Sequence, residues 1–185
     1  MDLNNMETKQ TSFDDKQTTK KGKLGESVVR KYMEDRGWII YTPETEKAHA
    51  FDKVAIKNKD KICLLEVKTK ARRNFYNDTG IDIRHYLEYK NISEKYHLPI
   101  FLFFVDEMLG KVYGNKLSYL EEKVKTNDGL EYPLKQNGII YFPLERMKPI
   151  AILDVKTVLE IKHLNTRNYE YLYDTKRTNS GREEE

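Results

Sequence analysis

The run Ile62-Cys63-Leu64-Leu65-Glu66-Val67-Lys68 is apolar for most of its length and then carries a carboxylate and an ammonium. Residues two apart on a strand face the same way. Ile62, Leu64, Glu66 and Lys68 therefore project together, while Cys63, Leu65 and Val67 project to the other side. A strand of this kind belongs to a packed sheet and sets two opposite charges side by side where its apolar face ends.

A second strand precedes it. Phe51 to Ile56 alternates, with Asp52, Val54 and Ile56 on one face, and Asn58-Lys59-Asp60 supplies a turn between the two strands. Antiparallel pairing across that turn sets the Asp52 carboxylate beside that of Glu66, so that two acids and Lys68 converge. Carboxylates held close together repel, and one is pushed to a higher pKa unless a divalent cation neutralises them. Hard oxygen ligands of this type favour Mg²⁺, with Mn²⁺ as a substitute.

The surrounding elements follow from periodicity. Leu24, Val28 and Tyr32, widened by Val29 and Met33, predict a helix from about Thr19 to Arg36 with Gly37 as its C-cap. Glu26 lies at the edge of the buried stripe. Gly25 lies in its middle, where the missing side chain lets the helix approach its neighbour. Trp38 to Tyr41 reads as a short strand. After the basic, polar stretch from Thr69 to Thr79, the spacing predicts a helix from about Asp82 to Tyr96 on a stripe of Ile81, His85, Tyr89, Ile92 and Tyr96. Ile100 to Val105 is a fully buried strand. Farther on, Lys111 to Tyr113 suggests a short strand and Leu117 to Val124 a helix. Asp128-Gly129 and Asn137-Gly138 bracket a hairpin ending in Ile139 to Phe142. Ile150 to Lys162 fits either a strand followed by a helix or a helix throughout.

The 185 residues suit one domain, expected over 19–173, with polar tails at 1–18 and 174–185. Charged residues make up 34% of the chain but nearly balance at a net charge of +3. No apolar run approaches the roughly 20 residues that span a bilayer, and the first residues lack the apolar centre of a signal peptide. No membrane association is expected, and the expected location is the cytoplasm of a bacterial, archaeal or phage-infected cell. The single cysteine, Cys63, excludes an intrachain disulfide and a thiolate cluster. The four histidines show no close metal-ligand spacing, and no glycine pattern suits a nucleotide phosphate.

Asp52 on one strand, Glu66-Val67-Lys68 on the next and a preceding helix bearing Glu26 resemble the PD-(D/E)XK nuclease superfamily in residue type and order. The resemblance covers residues 20–105. It implies an α/β fold with a restriction-endonuclease-like or Holliday-junction-resolvase-like core: a central mixed β-sheet flanked by α-helices, here with a C-terminal extension of hairpin and helix. It further implies a divalent-metal-dependent DNA endonuclease. Asp52, Glu66, Glu26 and the Val67 carbonyl would hold the metal, and Lys68 would orient or activate the attacking water. Phe51 departs from the family pattern, standing where the family name has proline.

The acid-x-Lys pattern by itself is uninformative, because eight acids in this chain stand two before a lysine. Only Glu66 and Asp154 follow an apolar run, and only Glu66 has the helix and the acid-bearing strand ahead of it. Context selects Glu66.

Between Lys57 and Arg73 seven basic residues face two acids, a local net of 7 − 2 = +5 that suits a phosphate polymer. Lys70, Arg72 and Arg73, directly after the site strand, are candidate backbone contacts, as is Arg84 on the next helix. His49, His85 and Tyr89 are accessory candidates, and Phe75 and Tyr76 are placed either to stack on a base or to cover the core. The size of the chain favours structure-selective or weakly sequence-specific cleavage. Two-strand cutting would pair two copies as a homodimer. The competing readings are a non-catalytic nucleic-acid-binding or assembly protein that keeps the fold, and a nuclease acting on RNA.

Overall fold

The computed structural model describes residues 16–44, 51–73, 75–127 and 129–164. The amphipathic N-terminal stripe forms α1 (Gln17–Glu34). Gly37, at φ 77°, ends it: its amide donates to the Glu34 carbonyl and the Trp38 amide to that of Met33, a Schellman closure. The helix therefore starts and stops two residues earlier than the spacing predicts, and Gln17 and Thr18 leave the expected tail. Of the predicted tails, 1–15 and 174–185 lie outside the described residues.

The chain continues through β1 (Ile39–Tyr41), β2 (Lys53–Lys57), β3 (Lys61–Lys70), β4 (Asp78–Asp82), α2 (Ile83–Tyr96), β5 (Ile100–Asp106) and β6 (Lys111–Lys116). It then forms α3 (Leu117–Leu120), β7 (Val124–Lys125), β8 (Glu131–Tyr132), β9 (Leu134–Gln136), β10 (Ile139–Pro143), a 3₁₀ turn, β11 (Lys148–Ile152) and α4 (Val155–His163). Six strands make the central mixed sheet in the order β1-β2-β3-β5-β6-β11, in which only β3 and β5 run parallel. A smaller sheet, β4-β10-β9, and the β7-β8 pair complete the strands.

Two cores flank the central sheet. On one face Val29 and Met33 of α1 and Ile161 of α4 pack against Cys63, Leu65, Val67 and Val105. On the other, Tyr86 and Tyr89 of α2 and Ile140 and Phe142 of β10 pack against Leu64, Leu102 and Phe104. β3 and β5 are thus covered on both faces, which accounts for their apolar runs. Gly25 does what its place in the stripe implies: a Cβ there would collide with Thr69 of β3. Among the described residues no helix is long and apolar enough to cross a membrane.

Three expectations change. Thr69 to Thr79 is not all connection, because β3 runs on to Lys70 and Asp78 opens β4; Ile81 is a strand residue, and Asp82 N-caps α2 by accepting from the Arg84 amide. β4 forms through its five-residue ladder with β10, a tertiary partner that local pattern does not announce. The helix at Leu117 lasts a single turn, and the strand from Lys111 reaches Lys116. The final segment is a strand followed by a helix. The predicted hairpin turns at Asn137-Gly138, both at positive φ. The C-terminal part is more than an appendage, since β11 extends the central sheet and β10 carries the small one.

Candidate active site

The β2–β3 hairpin sets the register of the site. Lys53 pairs with Leu65, and the Asp52 amide donates to the Leu65 carbonyl at 3.0 Å, which leaves Asp52 opposite Glu66 at the open end of the ladder. The Asp52 carboxylate accepts from the Val67 amide at 2.7 Å. Glu66, 3% exposed, is ion-paired to Lys68, whose ammonium reaches partly into solvent. The Tyr89 hydroxyl of α2 faces Glu66 and acts on its carboxylate as a hydrogen-bond donor.

Burial and mutual repulsion dominate the electrostatics. Removal from water, followed by the charge of Glu66, pushes the Asp52 carboxyl up to about 7 against the pull of the Val67 amide. Burial raises Glu66 too, opposed chiefly by Lys68 and by the Tyr89 hydrogen bond. Glu26 of α1 adds negative charge to both. Its carboxylate is nonetheless held by the buried ammonium of Lys53. Among the described residues no three His, Cys, Asp or Glu side chains stand grouped as metal ligands. The donor chemistry still fits a small hard cation: two close, desolvated carboxylates are short of positive charge, and Mg²⁺ takes one or two carboxylates and fills its shell with water.

The other predicted residues are distributed differently. Lys70 bonds the Gly80 carbonyl of β4. Arg72 donates to Asn77 at 3.1 Å and lies 3.5 Å from the buried Asp106 carboxylate. Arg73 grips Asp78 with two nitrogens, donates to Gln136 at 3.0 Å and lies over the rings of Tyr76 and Tyr141. These three cations tie the segment after β3 to the fold. Arg84 is exposed and pairs with Asp82 at the cap of α2. His85 is exposed, its ring 6.3 Å from that of Tyr89. His49 lies outside the described residues. Phe75 is 82% exposed, whereas Tyr76 lies under Arg73. The rival acid, Asp154, is the N-cap of α4 and accepts from the Thr157 amide at 2.9 Å.

Lys53 escapes sequence reasoning altogether. Its face of β2 also carries Ala55 and is buried, so a lysine there needs a carboxylate partner, and alternation alone held that signal.

The mixed sheet flanked by helices defines an α/β fold of the restriction-endonuclease-like class. No family model matches the chain, and no curated protein matches it. Among solved structures it is similar to a Holliday junction resolvase from the archaeal hyperthermophile Archaeoglobus fulgidus, with a TM-score of 0.50 and 10% sequence identity. The match covers 70% of this chain and 92% of the resolvase. At that identity the likeness is one of fold.

Proposed function

We propose that this protein is a divalent-metal-dependent endonuclease that hydrolyses phosphodiester bonds in DNA, selective for the structure of its substrate more than for its sequence. The observation that carries the reading is the Asp52–Glu66 pair, two carboxylates raised by burial and mutual repulsion with Lys68 beside them. Burying Glu66 and half-burying Asp52 beside it is costly unless a cation is to be held there. Similarity of fold to a junction resolvase supports DNA as the substrate.

Asp52, Glu66 and the Val67 carbonyl are the groups that would hold Mg²⁺ or Mn²⁺, with Glu26 as a further acid once released from Lys53. Bound there, the ion supplies Lewis acidity and an acidified water. Lys68, beside the acid pair, is the group that would orient the attacking water and stabilise the negative charge gathering on phosphorus. Tyr89 fixes the Glu66 carboxylate in its rotamer. The attack is in line and needs no covalent intermediate. Cutting two strands requires two such sites, hence a homodimer.

A non-catalytic binding protein is the weaker reading, since it gives no reason for buried acids in register with a lysine. The deciding experiment offers labelled single strands, duplex, flap, four-way junction and RNA with Mg²⁺, Mn²⁺ or EDTA, comparing wild type with Glu66→Ala. Metal-dependent DNA cutting lost in the variant is expected. Binding without cutting of any substrate would overturn the proposal.

A further inference from the structure

A cleft of about 500 Å³ opens beside α2, between the β7–β8 pair and β10. Val124, Pro133 and Ile140 and the rings of Tyr86 and Tyr132 form its apolar lining. Lys123, Lys125 and Lys135 also line it, all three exposed. Among the described residues none of the three has an ion-pair partner, whereas Lys21, Lys31, Lys53, Lys68 and Lys90 each have one.

Two carboxylates share the cleft. Glu121 is already engaged, accepting from the Tyr86 hydroxyl at 2.6 Å and facing the Lys90 ammonium at 3.6 Å. Glu131 is exposed and stands opposite Lys125 across the β7–β8 ladder. The lining therefore keeps a positive excess, 3 − 2 = +1, with Glu121 further offset by Lys90. Like charges gathered around one concavity repel. An anion whose charges are spaced along a chain relieves them, and apolar walls suit sugars and bases between those charges.

The cleft is linked to the acid pair through α2 and through Asp78. Tyr86 lies three residues before Tyr89 on the buried face of α2, and Tyr89 bonds Glu66. The Tyr132 hydroxyl donates to Asp78 at 2.8 Å, and Asp78 is gripped by Arg73, just beyond the end of β3.

We infer that this cleft is a second substrate contact, holding the phosphodiester backbone of a nucleic-acid strand that leaves the acid pair. The inference takes its substrate from the nuclease reading, but it is tested by binding alone.

The test uses the full chain carrying Glu66→Gln, in EDTA, with a fluorescein-labelled four-way DNA junction followed by anisotropy across a salt series. Replacing Lys123, Lys125 and Lys135 together by Ala is expected to weaken binding about tenfold or more at low salt. It should also reduce the slope of log K against log salt by about 2 to 3, one increment per lost phosphate contact. Replacing the same three by Arg should restore both. A control triple, Lys111→Ala, Lys148→Ala and Lys162→Ala, removes equal charge from β6, β11 and α4 and should change neither by more than about a third of that effect. Unchanged affinity and slope in the cleft variant would overturn the inference, as would an equal loss in the control. Inorganic phosphate at matched ionic strength should not displace the junction; displacement confined to proteins with the intact cleft would mark a small-anion site and overturn the strand assignment. Absence of cleavage by the wild type, with the slope difference intact, would sink the nuclease reading and leave the cleft standing.

Discussion

The Val67 amide donates to the Asp52 carboxylate at 2.7 Å, so the acid that precedes β2 is held by the backbone of the strand that carries Glu66. This bond does more than orient a side chain. It fixes a negative group within reach of a second one, and neither can move away to relieve the repulsion.

The first prediction concerns that conflict. The Asp52 carboxyl is raised to about 7 in the fold. A raised carboxyl binds its proton more tightly folded than unfolded, so its contribution to stability is complete below the unfolded value and is lost as pH rises through 7. Asp52→Asn, which keeps an oxygen to accept from Val67, should gain on the wild type in EDTA as pH rises from about 4.5 to 8, by about 3 kcal/mol, and then level off. Urea melts at the two ends of that range check it. Mg²⁺ should stabilise the wild type above pH 7 and leave the variant unchanged.

The second prediction separates chemistry from folding at Lys68. Its side chain is 30% exposed, and among the described residues its one ion pair is to Glu66. Lys68→Ala should retain the fold while lowering single-turnover cleavage by about 100-fold or more, the loss expected when a group that stabilises transition-state charge is removed. Full cleavage by a folded variant would remove Lys68 from the mechanism.

Arg73 gives the third. Asp78 is wholly buried, and Arg73 and the Tyr132 hydroxyl are its partners. Arg73→Ala strands that carboxylate and should cost about 3–5 kcal/mol, whereas Arg73→Lys, which keeps the charge and loses the fork, should cost less. Denaturant midpoints of the two variants decide whether Arg73 is a clasp. A neutral substitution would return it to the set of surface cations.

That residue also shows where sequence reading reaches its limit. The register of Asp52 against Glu66 was legible because one short turn, with Asn58 at φ 59°, joins the two strands, and a shift of one residue would carry every side chain to the opposite face and part the two acids. Gly25 was legible because a helix stripe interrupted by a glycine signals close approach. β4 was not: Asp78-Thr79-Gly80-Ile81-Asp82 has little strand character of its own and depends on β10, far along the chain. Nor could a local count of charge tell a cation aimed at solvent from Arg73, whose partner is buried five residues on. Lys53 is the same case, a lysine on a buried face that only its pairing with Glu26 explains.

The last prediction turns on Tyr89. It lies on the stripe that α2 presents to the core and is 3% exposed, so packing accounts for its ring; its hydroxyl, however, bonds Glu66. That hydrogen bond stabilises the ionised carboxylate and works with Lys68 against burial, which raises Glu66. Tyr89→Phe keeps the ring and removes the donor. Glu66 should then titrate at higher pH, and because the ionised form is the one that binds a cation, the acid limb of the pH–rate profile should move upward. The rate well above that limb should fall by only a few-fold, since the carboxylate is ionised there with or without the phenol. A merely structural tyrosine would lower stability and leave the limb in place. The comparison of Tyr89→Phe with wild type over pH, at saturating Mg²⁺ and single turnover, therefore reads the hydroxyl alone.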